Sequence, residues 1–586
     1  MYKIALAFIL FSFHSIAQHD AHANIAYNTL NLRSPVNIPL ILAGNFGEMR
    51  SNHFHTGLDI KTQGVEGHEI LAIEDGYVSR VRISEWGYGK ALYIDHPNGL
   101  TSVYAHLSAF PDKIDDLIYM HQQKNEAFQV DEIVLSDSVF VKKGELIAYS
   151  GNSGGSSAPH LHFEIRETKS EHALNPLLFK CYRDLIADNR PPDIRGIKLY
   201  AVSNQGYLIP GKSTYYTCTK KGDNWVINND KPINIDNLYT ENSYLGFGFH
   251  TTDKLDAAYN TCGIHHTVLN RNDTTVQEQV INYINFDNNR YLNSHQDYYS
   301  FKQEKKNIHK HFKTDLNPLN IYKINEGKIS WNNAASHYNF IAYDVHGNKE
   351  NVKFELNAPT AKPAKNPLSN TNAYYFPDSV NTFLKEDFQV LMEPGTFYEP
   401  LQKTYRKDTI SKYLSPIYEF SESTIPVQKR YDLRIKVPTE LTDVNRFKLG
   451  IGVLDDRNRL SFLGGFYIDD WVETASKQFG KFILVIDSIA PIIQPLDFSK
   501  GKDISKFSTL ELTIEDNLSG IKTFAAYLNG SWVLTNWDRR KKRYIIPLDK
   551  RSKKILVEGK NFINIIAIDM KGNKQELRTE LLYHKP

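Results

Sequence analysis

Cysteine is nearly missing: Cys181, Cys218 and Cys262 are the only three in 586 residues, and none forms a C-x-x-C pair. Thiolate zinc fingers and iron–sulfur clusters are thereby excluded. One internal disulfide at most is possible, with Cys218–Cys262 the candidate and a pair of buried thiols the alternative. An excess of one charge is missing too. Lys+Arg 69 against Asp+Glu 67 leaves +2, so nucleic acid is not expected as a partner. Beyond the N-terminus no run approaches the roughly eighteen apolar residues of a transmembrane helix, and none is expected. Methionine is scarce at 5, whereas Tyr 34 and Phe 31 are abundant, a bias that favours strands over helical bundles. An H-E-x-x-H zinc helix is also absent, because His68-Glu69-Ile-Leu-Ala72 lacks the second histidine.

What is present begins with an address. Lys3 precedes the apolar stretch Ile4–Phe13, and Ser15-Ile16-Ala17 offers small residues for cleavage. Residues 1–17 read as a secretory signal peptide, which places the mature chain in the periplasm or outside the cell. The length implies about four domains. The expected boundaries give units at 24–188, 189–360, 366–488 and 489–586, with breaks at Arg190-Pro-Pro, at the Pro/Ala/Lys/Asn linker from Ala358 to Pro367, and at Ala490-Pro491. Short alternating runs dominate throughout. Lys90–Asp95, His96-Pro-Asn-Gly99 and Leu100–Ala105 read as a hairpin, and the one helical pattern lies around Pro111 to Lys124. The turn Asp344-Val-His-Gly-Asn348 recurs as Asp569-Met-Lys-Gly-Asn573, each after an apolar strand. This pairs the second and last units as related immunoglobulin-like sandwiches.

Four histidines and one aspartate stand apart from the other histidines: His55-x-x-x-Asp59, His106 in Tyr104-Ala-His-Leu, and His160-Leu-His162. On a strand, residues i and i+2 share a face, so His160 and His162 project together. A lone histidine is usually structural, but this set in one β unit points to metal. Gly151-Asn-Ser-Gly-Gly-Ser-Ser157 lacks the P-loop lysine and reads as a tight turn feeding the His160 strand. Arg539–Arg543 reads as a solvated hairpin tip, with attraction to anionic envelope polymers the alternative.

These motifs, with Gly144-Glu-Leu-Ile-Ala-Tyr-Ser-Gly151 and Ser157-Ala-Pro-His-Leu-His-Phe-Glu164, resemble the lysostaphin-type zinc metallo-endopeptidases that cut peptide cross-links in peptidoglycan. The resemblance covers roughly residues 40–180. It implies a mainly β chain, an N-terminal β-sheet or barrel-sandwich peptidase domain followed by about three β-sandwich domains. It further implies that His55, Asp59 and His162 ligate Zn2+ while His106 and His160 serve the reaction, with peptidoglycan peptides as substrate. The base role would fall to His160 and an oxyanion-donor role to His106, although the sequence leaves this assignment open. Pro111–Val139 separates His106 from the next motif by more than compact members do. A different class remains open: a non-catalytic relative that binds peptidoglycan or activates another hydrolase. A two-His-one-carboxylate iron oxygenase leaves the two further histidines unexplained. The C-terminal β units carry no comparable cluster and are expected to position the first unit or to bind an envelope protein.

Overall fold

The computed structural model describes residues 25, 27–133, 139–229, 232–441 and 445–585. The expected signal peptide lies outside the described residues. The first unit is built on an antiparallel sheet whose strands are β1 (Leu42–Gly44), β2 (Leu58–Lys61), β3 (Gly76–Ile83), β4 (Lys90–Asp95), β5 (Leu100–Ala105), β6 (Phe140–Val141) and β7 (His160–Glu167), in the order β1-β2-β7-β5-β4-β3-β6. β4 and β5 form the expected hairpin. Gly99 supplies the positive φ of 80° that the turn needs, where a Cβ would strain the backbone. Leu58, Ile60, Val78, Leu92, Ile94, Leu161, Phe163 and Ile165 are buried in one cluster. The helical pattern is realised as α1 (Asp112–Asn125), which buries Ile114 and Ile118 against that cluster.

The boundary expected at 188/189 is crossed by both sheet and core. β8 (Ala173–Leu174) pairs on one side with β7 and on the other with β9 (Tyr283–Ile284) of the second unit. Phe46, Met49 and Phe54 pack with Ile281, Ile284, Leu292 and Ile321 in one cluster, and Leu255 and Cys262 join the core of the first unit. Cys218 lies instead in the core of the second unit, and all three cysteines are free thiols. The second unit follows one ten-stranded path that folds over itself. Phe249 stacks on Phe340 at 3.6 Å and Phe247 meets Tyr338 at 4.9 Å, closing the two halves face to face. Residues 381–486 form two five-stranded sheets around Phe388, Val390, Leu433, Ile451 and Phe482. The last unit is a four-stranded and a five-stranded sheet around Leu510, Ile546, Ile563 and Ile565.

Two expectations are corrected here. The Ala358–Pro367 segment is pinned rather than loose: Thr360 and Ala361 N–H donate to Asp236 Oδ1, and Ala364 N–H donates to the Tyr239 carbonyl. The basic hairpin tip is not wholly solvated. Arg540 pairs with Glu66 at 2.8 Å and the Arg539 guanidinium lies 4.9 Å from the Trp86 ring centre. α1 receives the same unit, with Arg551 on Asp115 (2.9 Å) and Asp116 (2.5 Å) and over the Tyr119 ring. The stretch between His106 and the His160 strand therefore carries a docking face for the chain's own last unit.

Candidate metal centre

Asp59 and His162 are paired directly across β2 and β7, and such cross-strand neighbours share a face. His55 enters from the segment that leads into β2. The three donor atoms converge. His162 Nδ1 is 2.9 Å and His55 Nε2 3.0 Å from Asp59 Oδ1, and the two ring nitrogens are 3.0 Å apart. Tetrahedral zinc with ligands at about 2.0–2.1 Å sets its donors about 3.3 Å apart, so the observed triangle fits that ion closely.

Every atom on the far side of the triad is occupied. His55 Nδ1–H donates to the Asn45 carbonyl at 2.7 Å, which fixes Nε2 as the inward lone pair. His162 Nε2–H donates to Glu164 Oε1 at 2.8 Å, which fixes Nδ1 inward. Arg50 donates to Asp59 Oδ2 at 2.5 Å and leaves Oδ1 facing the rings. Such outer partners hold ligands in the metal-binding tautomer and orientation. Burial alone would raise the Asp59 carboxyl, but His55, His160 and His162 outweigh it and hold the group well below the usual range. Burial pushes His55 down to about 4 despite Asp59. For His162 burial acts the same way, but Asp59 and Glu164 overcome it and push the ring up to about 9.

Glu164 is the residue that the sequence reading passed over. It is fully buried, accepts from Thr56 Oγ1 at 2.6 Å, Tyr88 OH at 2.5 Å and Arg166 Nε at 2.8 Å, and ties these to His162. Arg166, then His162, outweighs the burial that would otherwise keep the carboxyl neutral. Its signal was its spacing, since His160, His162 and Glu164 alternate on one face of β7. Arg50 had no such signal, and Asn45 acts through a backbone carbonyl that any residue supplies.

The two remaining histidines flank the triad. His106 follows β5 with φ +60°, an uncommon conformation outside glycine that turns its ring back over the sheet. Its ring centre lies 4.7 Å from that of His160 and 5.9 Å from that of His162. His106 Nδ1–H donates to the Ser153 carbonyl at 2.9 Å and His160 Nδ1–H to the Ala158 carbonyl at 2.8 Å, so both rings present Nε2. His160 Nε2 stands 3.4 Å from Asp59 Oδ1. Burial, then the neighbouring His162 and His160, pushes His106 down to about 3. The Gly151–Ser157 turn is what holds both rings. Gly154 sits at φ +70°, where an added Cβ would come within 2.3 Å of Gly89 N, so only glycine fits. Beyond this turn a cavity of about 230 Å³ is bounded by Lys90 and Ser108 on one side and Trp537 and Arg540 on the other.

Residues 53–122 and 116–176 match Peptidase family M23, and residues 372–487 match the Zu5-like domain. The chain is 34% identical over 112 residues to the DD-carboxypeptidase/endopeptidase Mpg of Neisseria meningitidis serogroup B, covering 19% of this chain and 20% of that protein. It is 32% identical over 113 residues to the murein hydrolase activator EnvC of Escherichia coli, with 19% and 20% covered. The chain thus spans about a fifth of the length of these relatives. Among solved structures, the catalytic domain of the antimicrobial peptidase lysostaphin from Staphylococcus simulans aligns at 23% identity and TM-score 0.19, over 24% of this chain and 91% of that one.

Proposed function

Because its N-terminal unit is a peptidase family M23 domain, we propose that this protein is an exported zinc endopeptidase that hydrolyses peptide cross-links of peptidoglycan. The observation that carries the reading is the intact donor triad, His55, Asp59 and His162, with each outward atom already bonded. A two-histidine, one-carboxylate set leaves a fourth position of zinc open. When bound, the ion would supply Lewis-acid polarisation of the scissile carbonyl and a water of lowered pKa.

The chain's own groups handle the protons. His106, with Nδ1–H committed to the Ser153 carbonyl, turns Nε2 as an acceptor towards the triad, where it can hold and orient the attacking water by a hydrogen bond. In that tautomer it accepts rather than donates, so the oxyanion-donor role suits His160, a division the sequence leaves open. His160 Nε2 stands 3.4 Å from Asp59 Oδ1, beside the triad, where it is placed to donate to the developing oxyanion or the leaving nitrogen. Tyr88, ordered by Glu164, stacks on the His162 ring at 5.2 Å and restrains it.

The test is hydrolysis of defined muropeptides by the full chain, with products identified by mass. Activity should vanish with chelator and return with zinc. Asp59→Ala should lose the metal and His162→Ala both metal and turnover. His106→Ala and His160→Ala should keep the metal and lose about 10²-fold or more in kcat. A zinc-loaded chain that leaves every muropeptide intact would instead support the activator class.

A further inference from the structure

The groups that hold His160 are themselves held from the last unit. His160 Nδ1–H, committed to the Ala158 carbonyl at 2.8 Å, also lies 3.0 Å from Ser156 Oγ. Ser156 Oγ–H donates to the same carbonyl at 2.8 Å. Both groups meet the side chain of Asn152, a buried residue of the Gly151–Ser157 turn. In the amide orientation that satisfies both of its ends, Asn152 Nδ2 donates to Ser156 Oγ at 2.6 Å and to the Ala158 carbonyl at 3.2 Å. Its Oδ1 then accepts from Arg540 Nη1 at 3.1 Å. A path of hydrogen bonds thus runs from the Arg540 guanidinium, through one amide, to the two groups that fix the His160 ring.

Arg540 stands at the tip of the hairpin that joins Asn536–Asp538 to Arg543–Pro547. Its aim is set independently of Asn152. Its backbone N–H donates to Asp538 Oδ1 at 3.0 Å, and its Nη2 donates to Glu66 Oε1 at 2.8 Å. Arg539 beside it lies over Trp86 and reaches the Gly154 carbonyl at 3.4 Å, so the tip meets the turn at two places. The two ends of an amide are nearly equal in size, and hydrogen bonds alone choose its orientation. Reversing Asn152 would turn its NH₂ towards a guanidinium and its oxygen towards the Ala158 carbonyl. Arg540 selects against that reversal.

We propose that Arg540 is a positioning residue for His160, acting through Asn152, so that the last unit completes the reaction centre of the first. The inference rests on the role given to His160 under the zinc endopeptidase reading. A glycine-rich turn has wide conformational freedom of its own. A group that donates to a reacting atom must nonetheless be held closely, since a misplacement of about 1 Å can cost about 10²-fold in rate. The hairpin tip supplies the restraint that the turn lacks.

The experiment uses the full, zinc-loaded chain and the variants Arg540→Ala, Asn152→Ala and the two combined. The Arg540 side chain is 58% exposed, so its removal opens no cavity in the last unit. Arg540→Ala should lower kcat on defined muropeptides by about 10-fold or more, while KM, zinc content and unfolding temperature hold. Asn152→Ala should lose at least as much. The double variant should lose no more than Asn152→Ala, because residues on one path are not additive. Hydrogen exchange across residues 151–160 should quicken in Arg540→Ala. Exchange is read without substrate, so it decides the coupling even where the parent chain leaves every muropeptide intact, a result that would overturn the endopeptidase reading by itself. Losses that multiply in the double variant, a raised KM in place of a lowered kcat, or unchanged exchange across residues 151–160 would each overturn the proposal.

Discussion

At the scale of single residues, the His55, Asp59 and His162 donor set depends on groups that lie outside it. Glu164 sits behind His162 and gathers Thr56, Tyr88 and Arg166 on two oxygens. Glu164→Gln keeps the shape but loses the charge, so the imidazole becomes less basic and less firmly oriented. Zinc affinity or kcat should fall by about 10–100-fold, measured by competition with a chromophoric chelator and by muropeptide turnover. Unchanged affinity and rate would reduce Glu164 to packing around Arg166. The five residues read from the sequence were legible because chemistry forces their identity: imidazole and carboxylate at strand spacing have few other uses. Their supports were harder to read. Arg50 reaches Asp59 through a fold-dependent approach, and the Asn45 and Ser153 contributions come from carbonyls.

At the scale of elements, α1 meets the last unit through opposite charge. Its acidic Asp112, Asp115 and Asp116 face Lys550 and Arg551, and Glu126 just past its end accepts from Tyr527 OH at 2.7 Å. Partly exposed pairs such as Arg551–Asp115 contribute only about 0.2–1 kcal/mol and weaken with salt. Arg551→Glu should therefore leave the fold and zinc content unchanged while increasing hydrogen exchange in α1 and in the 536–552 region. High salt should produce a smaller shift of the same kind in the parent chain. Equal exchange in both proteins would mean that the ion pairs do not hold this contact. The helix itself was readable from its periodicity. Its partner was not, because the contact joins residues more than four hundred positions apart and charge complementarity leaves no local pattern.

For the whole molecule, the sheet continuing from β7 through β8 into β9 makes the first two units depend on each other. Phe46, Met49 and Phe54 would face water in a fragment ending at residue 188, each losing about 1.5–3 kcal/mol of burial. A 24–188 fragment should unfold at lower temperature than a 24–365 fragment, or aggregate, as followed by thermal unfolding and light scattering. Matching unfolding temperatures would show that the shared cluster adds little. Here the sequence misled for a physical reason: a proline-rich joint marks where the path turns, but apolar side chains on either side can still bury one another. Strand class was readable from alternation, whereas the closing of the second unit's one strand path by Phe249 on Phe340 was not.

The contact of α1 with the last unit also has a consequence of concentration. The two surfaces are joined by the same chain, so their encounter is intramolecular, and tethered partners meet at effective concentrations up to the millimolar range. An interface too weak to join separate molecules at micromolar concentration is then closed most of the time. An isolated copy of residues 489–586 supplied at micromolar concentration would compete poorly for α1 against its tethered counterpart. A protein that captures the last unit would have to out-bid that local concentration, and salt or charge reversal at Arg551 would lower the threshold it must cross.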